Sequence, residues 1–170
     1  EVDETDPERF IDTVVAISKT FGGINLEDIK APECFEIERR IAEATDIPVM
    51  HDDQHGTAII TGAGLINACE ITDRTLESVR VVVIGAGAAA LACTRFFVTL
   101  GVVPENVVMF DKDGVLRADD PARDPGQPAM EFATHRDVAT FADALADAEP
   151  TSSPTTEATP SSRRRSASRR

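Results

Sequence analysis

Apolar positions recur along the chain with two different periods, and the changes of period mark its elements. Phe10, Val14, Ile17 and Phe21 fall at near-helical spacing, and the run stops at Gly22-Gly23, where a helix can end without a Cβ penalty. A first helix is predicted there. Ile24-Asn25-Leu26 alternates like a short strand and delivers Glu27-Asp28 at its exit. Pro32 suits a first helical position; Glu33 and Glu36 occupy the early turns, Arg39 and Arg40 follow, and Cys34, Ile37, Ile41 and Ala44 trace one apolar face of a second helix. Ile47-Pro48-Val49-Met50 reads as an edge-like strand ending at His51-Asp52-Asp53. Gln54-His55-Gly56-Thr57 then leads into a helix over 58–71, with Thr57 as its expected N-cap. Its small residues, Ala58, Gly62, Ala63, Gly64 and Ala68, permit another backbone to come close, at about 1 kcal/mol of helix propensity per Gly relative to Ala. Tight packing is expected against that helix.

The period changes again at residue 81. Val81-Val82-Val83-Ile84 is a continuous apolar run of the kind buried on both faces of a parallel sheet, and Gly85-Ala86-Gly87 follows at once. Residues 88–100 read as a helix closed by Gly101, and Val107-Val108-Met109-Phe110 forms a second buried strand with Asp111 at its end, which completes a β-α-β unit. Asp113-Gly114 makes a turn, 117–128 are loop, and 137–148 regain helical spacing at Val138, Phe141, Ala142 and Leu145. The fold class is therefore α/β, the start of a Rossmann-type parallel sheet preceded by a mostly helical segment. A third parallel strand is expected next. Instead, residues 151–170 hold six Ser, four Thr, two Pro and five Arg, a composition that cannot bury enough apolar surface to order itself.

Composition narrows the function classes. The 170 residues carry 30 acidic and 17 basic side chains, a net charge of −13, and contain neither Trp nor Tyr. Charge of that sign argues against a nucleic-acid surface, because phosphate binding needs a clustered positive field. An Asp-rich surface with only three Lys suits solvation at high salt and points to a halophilic source. Cys34, Cys69 and Cys93 form no C-x-x-C pair, so reduced thiols and a cytoplasmic location are expected. No stretch of about twenty apolar residues is present to cross a bilayer. The first residues carry no basic or apolar leader, and the absence of an initial Met reads as a fragment.

Three constellations carry chemistry. Gly85-x-Gly87-x-x-Ala90 lies between a buried strand and a helix, which is the context of a dinucleotide-binding turn: the first glycine permits the turn, the second lets the backbone approach a pyrophosphate, and Ala90 packs helix on strand. Ala86, Ala88 and Ala89 complete the loop, and the N–H groups of Ala88 and Ala89 face the phosphates with help from the helix dipole. Asp111, at the end of the next strand, is placed to accept a hydrogen bond from an adenosine ribose hydroxyl; alone it favours NAD over NADP, and Lys112 softens that preference. Glu27-Asp28 and Asp52-Asp53 offer four carboxylates at the exits of two short apolar segments, hard oxygen donors suited to Mg²⁺ or Mn²⁺. Glu27 and Asp28 can both reach one ion only if the chain curls there. The rival is a zinc site at His51 and His55, spaced i, i+4; Pro48 and Gly56 bracket that segment and argue for loop.

Thr20-Phe21-Gly22-Gly23-Ile24-Asn25-Leu26-Glu27-Asp28-Ile29-Lys30-Ala31-Pro32-Glu33-Cys34-Phe35, then Ile47 through Ala58, then Gly85 through Ala89, closely resemble the bacterial and archaeal malic enzymes. The resemblance implies oxidative decarboxylation of malate to pyruvate and CO₂ with reduction of NAD or NADP, dependent on Mg²⁺ or Mn²⁺. It implies Glu27, Asp28 and Asp53 as metal ligands and Gly85, Ala86, Gly87, Ala88, Ala89 and Asp111 as the nucleotide site. No catalytic residue falls in this chain: the family's proton-transfer Tyr and Lys lie outside it. Residues 1–75 then read as the C-terminal part of the metal and substrate region, 76–148 as an incomplete NAD(P)-binding domain, and 149–170 as a disordered tail whose expected origin is a reading-frame change near residue 148. Malate and pyruvate are the expected small-molecule partners, with no nucleic acid, no membrane, and a homo-oligomer at full length. Two other classes fit the same residues: a nucleotide-binding regulatory module indifferent to divalent cations, and another Rossmann dehydrogenase, such as one acting on amino acids.

Overall fold

Asp6 caps the first helix: its side chain accepts the backbone N–H groups of Glu8 and Arg9 at 2.9 and 3.1 Å, and Pro7 supplies a first helical position that needs no donor. Helix α1 (Pro7–Ser18) leads into strand β1 (Ile24–Leu26), helix α2 (Glu33–Ala44) and strand β2 (Val49–His51). Helix α3 (Asp52–Ile71), strand β3 (Val81–Ile84), helix α4 (Ala88–Leu100) and strand β4 (Val107–Asp111) follow, then a short strand β5 (Gly114–Val115) and helix α5 (Phe141–Ala148). These elements come from a computed structural model that describes residues 2–148. The expected tail over 149–170 lies outside the described residues.

Two small sheets organise the chain. In the first, β1 and β2 run parallel with Leu26 opposite His51, so Glu27 and Asp52 leave the same end of the sheet. In the second, β3 and β4 are parallel with Val81 opposite Val107, and β5 adds antiparallel to β4. Ile11 and Val14 of α1 meet Ile37 and Ile41 of α2 over Leu26 in one core; Leu91, Met109, Leu116 and Ala129 form another, into which Phe35 of α2 and Ala86 of the glycine turn both pack. That shared cluster ties the acidic half of the chain to the nucleotide-type half. Phe110 and Phe141 meet edge to face with centroids 6.2 Å apart, and α5 thereby covers Val108.

The structure corrects four expectations. The buried stripe of α1 is Ile11, Val14 and Ser18, whereas Ile17 and Phe21 are exposed, because α2 approaches from one side only. Helix α3 begins at Asp52, six residues before the expected start: the β2 exit feeds straight into a helix, and Gly56 is tolerated inside it. The bracket by Pro48 and Gly56 therefore does not make 52–55 a loop. Strand β3 is half-buried with Ile84 at 73% exposure, while Val107, Val108 and Met109 of β4 are fully buried; β3 pairs with β4 alone among the described residues, which leaves its other edge uncovered. The final helix starts at Phe141, four residues later than its apolar spacing suggests, after Thr140 and Asp143 exchange hydrogen bonds across its first turn.

The tight packing expected of the small residues is real. A Cβ on Gly62 would lie 2.6 Å from the Phe96 ring of α4, so only a glycine admits that ring. Thr61 donates to Cys93 Sγ at 3.3 Å, Gly62 meets Phe96 and Leu100, and Leu65 and Cys69 share a core with Phe97 and Val102. Contacts advance together along both helices, so α3 and α4 run parallel and start at the same end. We expect Gly62→Leu to destabilise the chain by about 1–3 kcal/mol through overpacking. Gly64→Ala, where a Cβ meets nothing within 4 Å, should stabilise it by about 0.5–1 kcal/mol. Urea denaturation midpoints of the two variants check both.

Candidate functional site

The parallel start of α3 and α4 brings the two sequence signatures to one end of the fold. Asp53 lies eight residues before Thr61 and Ala88 five before Cys93, about 12 and 7.5 Å of helix above that contact. The acidic turn and the glycine turn are thus at neighbouring levels.

At the acidic end the chain does curl. Asp28 has φ 60°, in the left-handed region that Asp visits more readily than most residues, and its backbone N–H donates to Asp53 Oδ2 at 2.9 Å. That bond joins the turn after β1 to the first turn of α3. Glu27 is turned aside, its Oε1 accepting from Asn25 Nδ2 at 2.8 Å. Among the described residues no three His, Cys, Asp or Glu side chains are gathered so as to hold a metal ion. The donor chemistry nevertheless suits a hard divalent cation: Glu27 and Asp28 follow β1, Asp53 lies in the first turn of α3, and a hydrogen bond joins the two segments. Asp52, on the same turn, lays its carboxylate over Gly56 one helical turn further on, where a Cβ would come within 2.1 Å of Oδ1. A groove of about 1060 Å³ opens next to this turn, with Phe10, Val14 and Ile17 on its apolar wall and Glu27, Asp28 and Lys30 at its rim.

The zinc alternative does not assemble. His51 precedes α3 and is completely buried, whereas His55 lies on the helix with its Nε2 2.8 Å from Glu38 Oε1. Neither ring nitrogen of His51 has a hydrogen-bond partner, and its Nε2 stands 3.9 Å from Asp53 Oδ2.

At the glycine end Gly85 adopts φ +106°, which only glycine takes without strain, and its N–H closes the β3–β4 ladder on Phe110 O at 2.8 Å. Gly87 is extended, a conformation open to any residue, yet a Cβ there meets nothing within 4 Å. Space, not conformation, is what this glycine keeps. No side chain caps α4, so the first N–H groups at Ala88 and Ala89 face that space. Asp111 ends β4 as expected, but it is not a free acid. Arg123 grips both its oxygens, with Nη2 3.1 Å from Oδ1 and Nη1 on Oδ2, and the Asp113 N–H adds a bond at 2.8 Å. Lys112 instead pairs with Asp113. The Arg123 guanidinium holds the Asp111 carboxyl below the usual carboxylate range, while burial pushes the Cys34 thiol up, in keeping with three free cysteines.

Sequence reasoning missed Arg123, Asn25 and Glu38. Arg123 sits in a loop with no periodicity, twelve residues from its partner, and Glu38 belongs to the polar side of an ordinary amphipathic helix. Neither position carries a local signal.

A two-strand parallel start, a glycine turn feeding a helix and paired acidic loops at the same end define an NAD(P)-type α/β protein. Comparisons with known proteins narrow the class. The model described as "Malic enzyme, NAD binding domain" matches residues 54–152 and "Malic enzyme, N-terminal domain" matches residues 2–42. The chain belongs to the malic enzyme family. It is 53% identical over 149 residues to an NADP-dependent malic enzyme of Halomonas elongata, across 88% of this chain and 35% of that one. It is 52% identical over 116 residues to an NAD-dependent malic enzyme of Rhizobium meliloti, across 68% of this chain and 15% of that one. The crystal structure of the NAD-dependent malic enzyme of Thermotoga maritima superposes with a TM-score of 0.76 at 38% identity, covering 85% of this chain and 39% of that one. The chain thus spans about a third of the length of the Halomonas relative.

Because the Asp111 carboxyl titrates below its unfolded value, its ion pair contributes stability at neutral pH that shrinks below about pH 4 and vanishes as the pH passes the lowered value. We expect Asp111→Asn to lose about 2 kcal/mol at pH 7 and almost nothing at strongly acid pH, measured by urea unfolding across that range.

Proposed function

We propose that this chain is the part of a malic enzyme that brings a divalent cation and NAD(P)⁺ together for oxidative decarboxylation of malate to pyruvate and CO₂. The observation that carries the reading is the Asp28 N–H to Asp53 Oδ2 bond, which joins the acidic turn after β1 to the first turn of α3. In this reading Glu27, Asp28 and Asp53 hold Mg²⁺ or Mn²⁺, and Gly85 through Ala89 hold the coenzyme's pyrophosphate. When bound, the cation supplies Lewis acidity toward the substrate's oxygens and the coenzyme accepts a hydride. The chain's own residues do the rest: Gly85 turns the backbone, Gly87 leaves the pyrophosphate its volume, the α4 N–H groups meet its charge, and the acidic turn orients the substrate toward the nicotinamide.

Residues 1–75 form the cation and substrate part in this assignment, and 76–148 open the nucleotide domain. The chain contains no Tyr, so the family's proton-transfer Tyr and Lys come from elsewhere in a longer polypeptide. In this reading the enzyme is cytoplasmic, which three free cysteines fit, and homo-oligomeric at full length. The acid excess supports a halophilic setting.

Coenzyme preference follows from Arg123. A free acid at the end of β4 repels a 2′-phosphate, whereas an acid neutralised by a bidentate guanidinium repels it much less. The proposed site therefore accepts NADP⁺ alongside NAD⁺.

The test is metal-dependent NAD(P)H formation from malate by the polypeptide extended to its relatives' length. Asp53→Asn should lower it by at least about a hundredfold. Gly87→Val should leave folding intact yet weaken NAD(P)⁺ binding at least about tenfold, because only the ligand's space is filled. Activity without malate or without divalent cation overturns the reading. Arg123→Ala should shift the ratio of NADP⁺ to NAD⁺ affinity toward NAD⁺ by about tenfold, read by nucleotide titration.

A further inference from the structure

Glu38 of α2 meets three polar groups at the start of α3. It accepts the His51 backbone N–H at 3.0 Å and the Gln54 amide at 3.2 Å, and its Oε1 lies 2.8 Å from the His55 ring Nε2, with its own side chain only 16% exposed. Helix α3 has no cap of its own, since His51 stands in the cap position without a side-chain bond to the turn. In a capping box the third helical residue reaches back to the N–H of the cap residue. Here a carboxylate from a different helix, thirteen residues away, makes that bond instead.

The three groups bracket Asp53, with His51 and Gln54 close on either side in sequence and His55 one residue further. Fixing them fixes the rotation of the turn, and that rotation decides where Asp53 points. Asp53 in turn accepts the Asp28 N–H, so one run of hydrogen bonds leads from α2 through α3 to the acidic turn after β1. A second observation points the same way: the His51 ring is fully buried, neither nitrogen is hydrogen-bonded, and Nε2 faces Asp53 Oδ2 from 3.9 Å. The backbone of that same residue is the one Glu38 holds.

We propose that Glu38 is a positioning residue for the cation-binding carboxylates, holding the first turn of α3 at the rotation that turns Asp53 toward Asp28. The proposal rests on the cation-site reading above. A carboxylate suits this place because the His51 N–H and the Gln54 amide both donate to it; glutamine at this position keeps the size but brings an N–H₂ group against one of them. Aspartate keeps the charge but withdraws the oxygens by one methylene.

Mn²⁺ titration of the full 170-residue chain by electron paramagnetic resonance tests it, paired with amide hydrogen exchange at Asp28 and at Met109 in β4. Glu38→Gln should weaken Mn²⁺ binding about tenfold and speed exchange at Asp28, while exchange at Met109 stays unchanged. Glu38→Asp should recover part of the lost affinity. Should Glu38→Gln fail to fold, Gln54→Leu, which cuts one arm of the clasp, carries the same expectation. Unchanged Mn²⁺ affinity overturns the proposal, and so does equal acceleration at Asp28 and Met109, the mark of a merely structural role. Mn²⁺ binding that Asp53→Asn removes and Glu38→Gln retains overturns this proposal alone. Absence of saturable Mn²⁺ binding in the unmutated chain brings down the cation-site reading with it.

Discussion

The parallel contact between α3 and α4 is the constraint on which everything else depends. A 20-residue helix that starts at Asp52 and a 13-residue helix that starts at Ala88 lie side by side because Gly62 lets the Phe96 ring into the space of a missing side chain. Two helices packed in this sense share an end, and each begins with exposed N–H groups and the positive pole of its dipole. Acidic side chains at one start and an uncapped glycine turn at the other are the natural furnishings of such an end. Antiparallel packing would place the same two signatures at opposite ends of the pair.

Electrostatics at that end is managed by pairing rather than by distance. Glu38, Asp52 and Asp53 crowd the start of α3, and the chain as a whole is strongly acidic, yet three of the carboxylates near the site have donors: the Asp28 N–H for Asp53, Asn25 for Glu27, and the His51 N–H and Gln54 amide for Glu38. Asp111 has Arg123. Hydrogen bonding to the charged form is what keeps a carboxylate ionised and stationary in a partly desolvated place. On the proposed reading, acids that are already fixed lose less on receiving a cation, because ordering them afterwards would subtract from the binding free energy.

Most of the fold was legible in the sequence, for reasons that differ by element. The strand at 81–84, the glycine turn and the helix after it carry three independent signals, period, composition and turn chemistry, and these agree with the structure. Strand β1 was short but bounded by Gly23 and Glu27-Asp28. The start of α3 was misread because Gly56 resembles a breaker, and only tertiary contacts from Glu38 and Gln54 explain why the helix runs through it. The apolar stripe of α1 was half right: periodicity reports that a face exists, while Ile37 and Ile41 decide which face is covered. For the site, residue types and their loops could be read, but partners such as Arg123 and Glu38 act across long sequence separations that leave no periodic trace.

The surface away from the cleft has its own logic. Helix α3 is apolar nearly all round, and only one side of it meets α4. Ile60 and Ile71 are 74% and 84% exposed, and Ile84 lies open at the end of β3, whose outer edge is unpaired among the described residues. A helix of this kind belongs in an interior, and a parallel strand belongs between two others. Each exposed isoleucine forgoes about 1.5–3 kcal/mol of burial, so the described residues are stabilised well below what their composition could support. In relatives about three times as long, further polypeptide is available to cover such surfaces. The acidic end and the glycine turn are different: the hydrogen bonds of the first close within residues 25–55, and the second closes on β4 through the Gly85 N–H. Local closure of the site alongside open flanks means that the geometry of the acids is set by this chain, while the stability of the fold around them is not set by it alone.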